Sequence, residues 1–437
     1  MKLLTSTAWP RDRAILVCIW IAFVIWCLNG LFVSVRDAMI HPEGTDLGAY
    51  VTAARVKRDH GQGIHDWTRL QAAGRQMGVE ASRYIYPPPL AEAMVGTSDI
   101  PFPKIHILWI TASYLVVIAF FGLVIQLAQA RGASALTSTL FTFGVFVSYS
   151  PIQREIFYSQ VSLICAMLTT AVLLLDARER GRWVAEWVAG AAAGLATIVK
   201  IYPAVLFFGF ALQRRWRPIA AGILVMALIA AVSVACYGTA DWFSFLDQHA
   251  SKEASAAYIY ADPTRKYLQA ANYSLTQVLF LWTRAVGLAV PPDLLAKLAR
   301  ASLVAGGAAF LWYFRRPLRE TNSLALWCHA VMLFFLPISV MFWHHVFLFY
   351  LPGIVLTGVA LLNAREVPAG LWMAWMVGAA VIGLVDYAPN IDFFSSRPLL
   401  FILKPLKFYG LVIHGCAFGW MLRNGLLSAP QPSAESP

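Results

Sequence analysis

Apolar runs of about twenty residues alternate with short charged segments along most of the chain. The first run, residues 14–35, follows Arg11 and Arg13 and is long enough to span about 30 Å of hydrocarbon as a helix. It exceeds the apolar region of a cleavable signal peptide, so we expect a retained membrane helix with a cytoplasmic N-terminus. Further membrane helices are predicted at 105–129, 134–150, 159–176, 218–237, 295–314, 321–340, 345–362, 368–385 and 399–422.

Residues 184–213 form an apolar stretch that is too long for one helix and too short for two full spans. Lys200, Tyr202 and Pro203 interrupt it midway, and Pro203 removes a backbone donor and disfavours helix at Tyr202. We therefore predict a short broken helix pair. With it, the pattern predicts an all-α integral membrane protein with about twelve transmembrane helices and both termini in the cytoplasm. Residues 1–427 would form one transmembrane domain and 428–437 a disordered tail.

Composition agrees with a membrane protein, because 59% of the residues are apolar or aromatic and only 13% are charged. The net charge of +11 would suggest nucleic-acid binding in a soluble protein. Here the basic residues cluster at 178–182, 214–217 and 315–319, whereas the loop 36–104 has 8 basic and 8 acidic residues. This asymmetry predicts that the clusters are cytoplasmic and the loop is outside. We expect contact with membrane lipids and none with nucleic acid.

Unusual polar residues fall on the predicted outer side, in the loop 36–104, in the second large outer segment 238–294, and at outer helix ends. They are Asp46, Tyr50, Tyr86, Arg154, Gln160, Lys200, Tyr202, Asn272, Tyr273, Trp343, His344 and His345. Convergence of distant segments on one side of the membrane is what a substrate site requires.

Each of these residues also has an ordinary structural explanation. Asp46 is a suitable helix N-cap, and Lys200 has a stem long enough to reach the membrane interface. His344 and His345 beside Trp343 are typical of interfacial anchors. Gln160 and Asn272 are suited to satisfying backbone groups at helix ends, and the prolines after Tyr86 favour a stiff extended turn.

Taken together, the same residues favour a site for an anion. A lysine within an apolar segment is energetically unfavourable unless it meets an anion or water. Lys200, His344, His345 and Arg154 at one depth would form a cationic pocket suited to a phosphate. Asp46, on the loop above, would then be positioned to accept a proton. A phosphate-linked donor and a hydroxyl acceptor need this combination.

The order of these motifs resembles glycosyltransferase family 87 over roughly residues 14–362. The resemblance lies in Asp46 followed by Tyr50, in Tyr-Pro-Pro from 86, in Lys-Ile-Tyr-Pro from 200, in Arg-Arg-Trp-Arg from 214 and in Trp-His-His from 343. The sequence departs from the family pattern at Ser159-Gln160, where Gly-Gln is usual, and at Asn272-Tyr273-Ser274-Leu275, where Asn-Gln-Ser-Leu is usual. The bulk of Tyr273 is expected to reshape the sugar pocket.

This resemblance implies a membrane enzyme of the GT-C class that uses a polyprenyl-phosphate sugar. The transfer would be inverting, with Asp46 as general base and with Lys200, Arg154 and His344 or His345 stabilising the departing phosphate. A mannose-like hexose donor and a lipid or glycan acceptor are expected at the periplasmic face of a bacterial inner membrane. Tyr50, Tyr86, Gln160, Tyr202, Asn272, Tyr273 and Trp343 would line the substrate pocket. No cofactor and no essential metal are expected, because the sequence has no DxD motif or acidic cluster.

Two alternatives share parts of this pattern. A lipid-linked glycan ligase or polymerase uses the same donor chemistry but moves an oligosaccharide. A secondary transporter is also polytopic with interrupted helices, but it is expected to place its charges near the membrane midplane between repeated halves. The lack of a detectable sequence repeat and the neutral outer loop argue against the transporter.

Overall fold

The computed structural model describes residues 10–40, 46–80, 82–247, 272–339, 342–383 and 405–428, and most of these residues are helical. The α-helices are α1 (Pro10–Ile40), α2 (Asp46–His60), α3 (Trp67–Met77), α4 (Pro88–Ala93), α5 (Phe102–Ala130), α6 (Ala135–Ser148), α7 (Ser150–Phe157), α8 (Ser162–Glu179), α9 (Trp183–Val199), α10 (Val205–Leu212), α11 (Trp216–Tyr237), α12 (Ala240–Phe245), α13 (Leu275–Ala285), α14 (Pro292–Glu320), α15 (Leu324–Phe335), α16 (Leu351–Asn363), α17 (Ala369–Gly383) and α18 (Leu406–Arg423). Short 3₁₀ segments cover Val95–Thr97, Tyr202–Ala204, Leu336–Ile338 and His344–Tyr350.

Within the described ranges, five helical segments are long and apolar enough to cross a membrane. They are α1, α5, α11, α14 and the continuous segment His344–Asn363. The pair α6 and α7, bent by 53° at its break, gives a sixth if it forms one span. Several shorter apolar helices, including α9, α10, α15 and α17, accompany them. The chain is a multi-pass membrane protein, and the number of twelve crossings stays a prediction.

The helix ends differ from the apolar stretches in the sequence. Helix α1 continues to Ile40, so the loop predicted from residue 36 starts later. The stretch 159–176 begins as a turn, with α7 before it as a separate helix. Hydropathy does not mark helix ends, because charged side chains such as Arg36 are compatible with a helical backbone. Residues 384–404 and the tail from 429 onward lie outside the described residues.

The predicted interruption of the 184–213 stretch is confirmed. Helix α9 ends at Val199, and Lys200 has an extended backbone with φ −151° and ψ 134°. A 3₁₀ turn, Tyr202–Ala204, then leads into α10. Because Lys200 stands at this break, its side chain leaves the helix end instead of a helix face.

Helices α9 and α11 cross closely because glycines lie at their contact. A β-carbon at Gly190 would lie 2.1 Å from the carbonyl oxygen of Pro218, and one at Gly194 would lie 2.4 Å from that of Gly222. Small residues at such crossings allow membrane helices to pack backbone to backbone. This packing fixes α9, and therefore the position of Lys200.

The segment between α1 and α5 has a hydrophobic core of its own, separate from the core of the helix bundle. Its buried members include Leu47, Tyr50, Leu70 and Tyr86, and Val161 from the turn before α8 packs with them. In the bundle core, aromatic rings of α1, α5 and α6 pack together. The two cores meet at the turn that joins α7 to α8.

A buried ionic network fastens this first segment to the chain after α11. The side chain of Lys57 is fully buried, and its Nζ lies 2.6 Å from Asp241 and 3.5 Å from Glu92. Asp241 also accepts hydrogen bonds from the backbone amides of Gly63, at 2.7 Å, and Ile64, at 3.2 Å. This network, which no local sequence pattern indicates, holds the loop above the bundle.

Candidate active site

The turn between α7 and α8 positions the central residue of the site, Gln160. The Gln160 amide donates to the Glu155 carbonyl and the Ser159 amide donates to the Ile156 carbonyl, both at 3.0 Å. These two bonds form a Schellman motif, whose C′ residue has a left-handed backbone. Ser159 occupies that position with φ 52°. The glycine that is usual here in the family pattern is therefore explained, because glycine adopts this conformation without strain.

Ser159 is stabilised in this conformation by a side-chain contact. Its hydroxyl lies 3.0 Å from Nε2 of His106 in α5, and both residues are buried. A hydrogen bond of this kind contributes about 1 kcal/mol. His106 was not identified from the sequence, and no local pattern distinguishes it from other histidines.

The Gln160 side chain connects Asp46 and Lys200 through the two ends of its amide. Its Nε2 donates to the Asp46 carboxylate, and its Oε1 accepts from Lys200 Nζ at 2.9 Å. The Tyr86 hydroxyl also donates to Oε1, at 3.3 Å. The two opposite charges are thus held near each other through a neutral amide.

Lys200 is buried within the protein, with 6% of its surface exposed. Besides Gln160, its ammonium donates to the Ser162 hydroxyl at the start of α8. It also lies 5.5 Å from the ring centre of Tyr86 and 5.7 Å from that of Tyr202. This environment disagrees with the alternative of a lysine that extends to the membrane interface. An ammonium has three donors, so one remains for a further acceptor.

Asp46 is the first residue of α2, and its backbone amide donates to the Tyr158 carbonyl at 2.9 Å. Its carboxylate accepts from Gln160, and no α2 backbone amide donates to it in the described structure. The N-cap alternative is therefore not supported. Burial raises the pKa of Asp46 to about 6, although the Lys200 charge acts in the opposite direction. A carboxylate with this pKa is a stronger base than an exposed one and is still ionised near pH 7.

Tyr50 and Tyr86 form the wall of the site on the side of the first segment. The Tyr50 hydroxyl donates to that of Tyr86 at 3.1 Å and accepts from the Val161 amide at 3.4 Å. Burial raises the pKa of both phenols well above their usual range, so both stay neutral donors. Both predicted residues are therefore part of the network around Gln160.

Glu155 belongs to the same cluster but was missed in the sequence. It is 1% exposed, and its Oε2 accepts from the Leu163 amide at 3.0 Å. Its Oε1 has no hydrogen-bond partner within the described residues. The positive charge of Lys200 interacts electrostatically with this carboxyl group. The criterion that identified Lys200, a charge next to apolar segments, also applies to Glu155.

The histidine pair lies beside the network, next to Tyr202. The ring centre of His345 is 6.4 Å from that of Tyr202, and the ring centre of His344 is 5.3 Å from that of Tyr158. Trp343 lies nearly parallel to His345, at 6.4 Å. Both histidines are buried within the protein, unlike interfacial anchors. Their position places two imidazoles at the border of the site.

Besides Tyr202 and the segment Trp343–His345, three further predicted site residues are not part of the hydrogen-bond network. Arg154 takes part in another interaction, but it is in none of the hydrogen bonds described above. Asn272 accepts from the backbone amides of Ser274 and Phe342, each at 3.0 Å, which agrees with its structural explanation. Tyr273 packs against Phe347, with ring centres 5.7 Å apart.

A second buried lysine, Lys407 at the start of α18, was also missed in the sequence. Its Nζ lies 3.4 Å from the Ser150 hydroxyl, 5.8 Å from the Tyr273 ring centre and 5.5 Å from that of Phe347. Tyr273 therefore faces a cation. Across the described ranges, no three His, Cys, Asp or Glu residues lie close enough to hold a metal ion. The expected independence of metal stays a prediction.

Comparison with known proteins identifies the family. The model of glycosyltransferase family 87 matches residues 84–339, more than half of the chain, including Glu155, Gln160 and Lys200. Asp46 and the histidine pair lie outside the matched range. No curated protein matches the sequence at a significant level.

Among solved structures, the chain is similar to ArnT from Cupriavidus metallidurans, bound to undecaprenyl phosphate and in the apo state. Identity is 15% in both cases, over 93% of this chain and 76% of ArnT, with TM-scores of 0.38 and 0.36. At these values neither structure indicates the fold or activity of this chain. The family match is the decisive finding, and by it the chain belongs to glycosyltransferase family 87 and is a glycosyltransferase.

Proposed function

We propose that the protein transfers a sugar from a polyprenyl-phosphate donor to a hydroxyl acceptor, with Asp46 as general base. The observation that carries this proposal is the Gln160 amide, which holds a carboxylate at one end and a buried ammonium at the other. A base for the acceptor proton and a cation for the donor phosphate are the two groups that the reaction needs.

In this mechanism Asp46 takes the proton from the acceptor hydroxyl as its oxygen attacks the anomeric carbon. The bond from that carbon to the phosphate oxygen breaks, and the lipid phosphate leaves with the electron pair. Because attack and departure occur on opposite faces, the transfer inverts the anomeric centre. The free donor of Lys200 stabilises the negative charge that develops on the phosphate.

The Gln160 amide supports both roles. Because its Nε2 donates to Asp46, the amide fixes the orientation of the carboxylate. Because its Oε1 accepts from Lys200 and Tyr86, the amide cannot rotate without losing both bonds. His344 and His345 would border the phosphate.

We further propose that the donor sugar is a mannose-like hexose and that the acceptor is a lipid or glycan. The protein would work in a bacterial inner membrane with its site on the periplasmic side. Support for this orientation comes from the basic clusters at 178–182 and 214–217, which lie at the opposite helix ends from Lys200.

Donor binding by a Lys200→Ala variant tests the phosphate contact. Loss of one charge-assisted hydrogen bond should weaken polyprenyl-phosphate binding by about tenfold to a hundredfold. Lys200→Arg should restore only part of the affinity, because a guanidinium fork does not reproduce an ammonium. Lys104→Ala, which removes an exposed lysine at the start of α5, is the matched control. Unchanged affinity in correctly folded Lys200→Ala protein would remove Lys200 from the site.

Transfer of radiolabel in membranes tests the activity itself. With a polyprenyl-phosphate monosaccharide whose sugar is radiolabelled, each transfer should add one labelled sugar to an acceptor. Label that crosses the membrane without joining an acceptor would indicate a transporter. Transfer of a whole lipid-linked oligosaccharide, with no transfer of the monosaccharide, would indicate the ligase.

A further inference from the structure

A cavity of about 370 Å³ opens at the far end of the bundle from Gln160. Arg180, Arg214, Arg215 and Arg319 line it, and Gln213 and Asn322 complete its polar wall. Helix α8 runs from Ser162 at the active site to Glu179 beside this cavity, and its 18 residues span about 27 Å. The cavity is therefore a separate place, on the face that basic residues predict to be cytoplasmic.

The four arginines carry more positive charges than the carboxylates paired with them carry negative charges. Arg180 pairs with Asp176 at 2.5 Å, and Arg215 pairs with Asp176 and with Glu186. Arg214 and Arg319 form no ion pair within the described residues. The cavity thus has an excess of positive charge, and its volume lies in the usual range of small-ligand sites, about 300 to 1,000 Å³.

Gln213, a residue of the cavity wall, has an unpartnered side-chain amide. Both Nε2 and Oε1 of Gln213 are buried and have no hydrogen-bond partner in the described part of the chain. A buried polar group without a partner is unfavourable, so its presence on a cavity wall points to a ligand that supplies the bond. An anion with oxygen acceptors would satisfy Nε2 together with the arginines.

Two residues of the cavity wall have an unusual backbone conformation. Three non-glycine residues have positive φ in the described structure, and two of them, Arg214 at 58° and Asn322 at 46°, line this cavity. The third is Ser159, which positions the active-site turn. Arg214 is the C′ residue of α10, since its amide donates to Ala211 and that of Arg215 donates to Phe210, both at 2.9 Å. Glycine would fit there with less strain, so the arginine side chain is retained at an energetic cost.

We propose that this cavity binds the phosphate of an anionic ligand, and that the ligand is the head group of a membrane phospholipid. Arg214 and Arg319 contribute the uncompensated charge, and Gln213 contributes a neutral donor. Basic pockets between membrane helices are suited to such head groups. The proposal does not depend on the proposed sugar transfer.

Native mass spectrometry of the purified full-length protein tests this site. The protein is titrated with the anionic lipid dioleoylphosphatidylglycerol and, as a control, with the zwitterionic lipid dioleoylphosphatidylcholine. The fraction of protein with bound lipid is measured in each titration. Wild-type protein should retain the anionic lipid more tightly. The double variant Arg214→Gly and Arg319→Gln should lose about tenfold or more of that affinity. Arg217→Gln, a nearby charge removal outside the cavity, should keep it.

Thermal unfolding separates this role from a structural one. Arg214→Gly removes a strained left-handed residue, so the single variant should be at least as stable as wild type. Equal lipid retention by wild type and the double variant would overturn the proposal. So would a loss of stability in Arg214→Gly without any change in retention, since that result assigns the arginine to the helix end.

A titration with inorganic phosphate distinguishes the two sources of the anion. If phosphate displaces the bound phosphatidylglycerol only at high concentration, the lipid head group is the ligand. If free phosphate stabilises wild-type protein, but not the double variant, and phosphatidylglycerol adds nothing, the cavity binds a phosphate anion from solution. That second result would keep the phosphate site and overturn its assignment to a lipid.

Discussion

The most informative single change is Asp46→Asn, because it should lower activity and raise stability together. Burial raises the pKa of Asp46 to about 6 from its usual value of 3.8. An ionised Asp46 therefore destabilises the folded protein at neutral pH, and asparagine removes that penalty while keeping the shape of the side chain.

The magnitude follows from the pKa difference. About two pKa units correspond to about 3 kcal/mol, which is an upper bound since Asp46 is partly exposed to water. We expect Asp46→Asn to raise the free energy of unfolding by about 1 to 2 kcal/mol at pH 7. Turnover should fall by about 10²-fold to 10⁴-fold if Asp46 is the general base.

The pH dependence has a definite sign. The folded-state pKa is raised, so the contribution of Asp46 is most favourable below the unfolded pKa near 3.8 and is lost as pH rises through about 6. The stability difference between variant and wild type should therefore be largest above pH 7. At pH 4.5 it should fall to about one third of that value.

Thermal unfolding of the purified protein at pH 7.5 and pH 4.5, with turnover measured in parallel, checks these expectations. Asp66→Asn is the matched control. Asp66 caps α3 by accepting from the amides of Thr68 and Arg69, and asparagine caps a helix equally well. Wild-type stability of Asp46→Asn at both pH values would contradict the raised pKa of Asp46. Near wild-type turnover would reassign the base.

Three further predictions concern the same region. The rate of transfer should rise with pH to a plateau above about 6, and a pH–rate profile without this acid limb would contradict the pKa of Asp46. Asp241→Asn should destabilise the protein by about 3 to 5 kcal/mol in thermal unfolding, because it removes the closest negative charge that balances buried Lys57. Ser159→Gly should leave stability within about 1 kcal/mol, since relief of the left-handed strain offsets the lost bond to His106. Ser159→Val should reduce both stability and turnover, and equal behaviour of the two variants would show that the turn does not position Gln160.

Local sequence determined the helices and the break between α9 and α10. Long apolar stretches predict membrane helices, because a helix satisfies its own backbone hydrogen bonds in hydrocarbon. Pro203 predicts the interruption, because it removes a donor from the chain itself. Both properties act over a few neighbouring residues, so the sequence is sufficient to find them.

The sequence also identified several site residues one at a time, but not how they are arranged. Lys200 was found because a charge in an apolar segment is unfavourable without a partner. The partner, Gln160, lies 40 residues away, and Asp46 lies 114 residues from Gln160. Only the packing of the first segment against the start of α8 brings these three together.

Other features were decided by tertiary structure alone. Whether Asn272 holds backbone amides or substrate depends on Phe342, which reaches it from another segment. The pairing of Lys57 with Asp241 spans 184 residues, and nothing local to either residue indicates it. Hydropathy and helix propensity are properties of neighbouring residues, whereas these contacts depend on how helices pack against one another. A sequence pattern therefore determines the elements and the chemistry available, and packing decides which side chains meet.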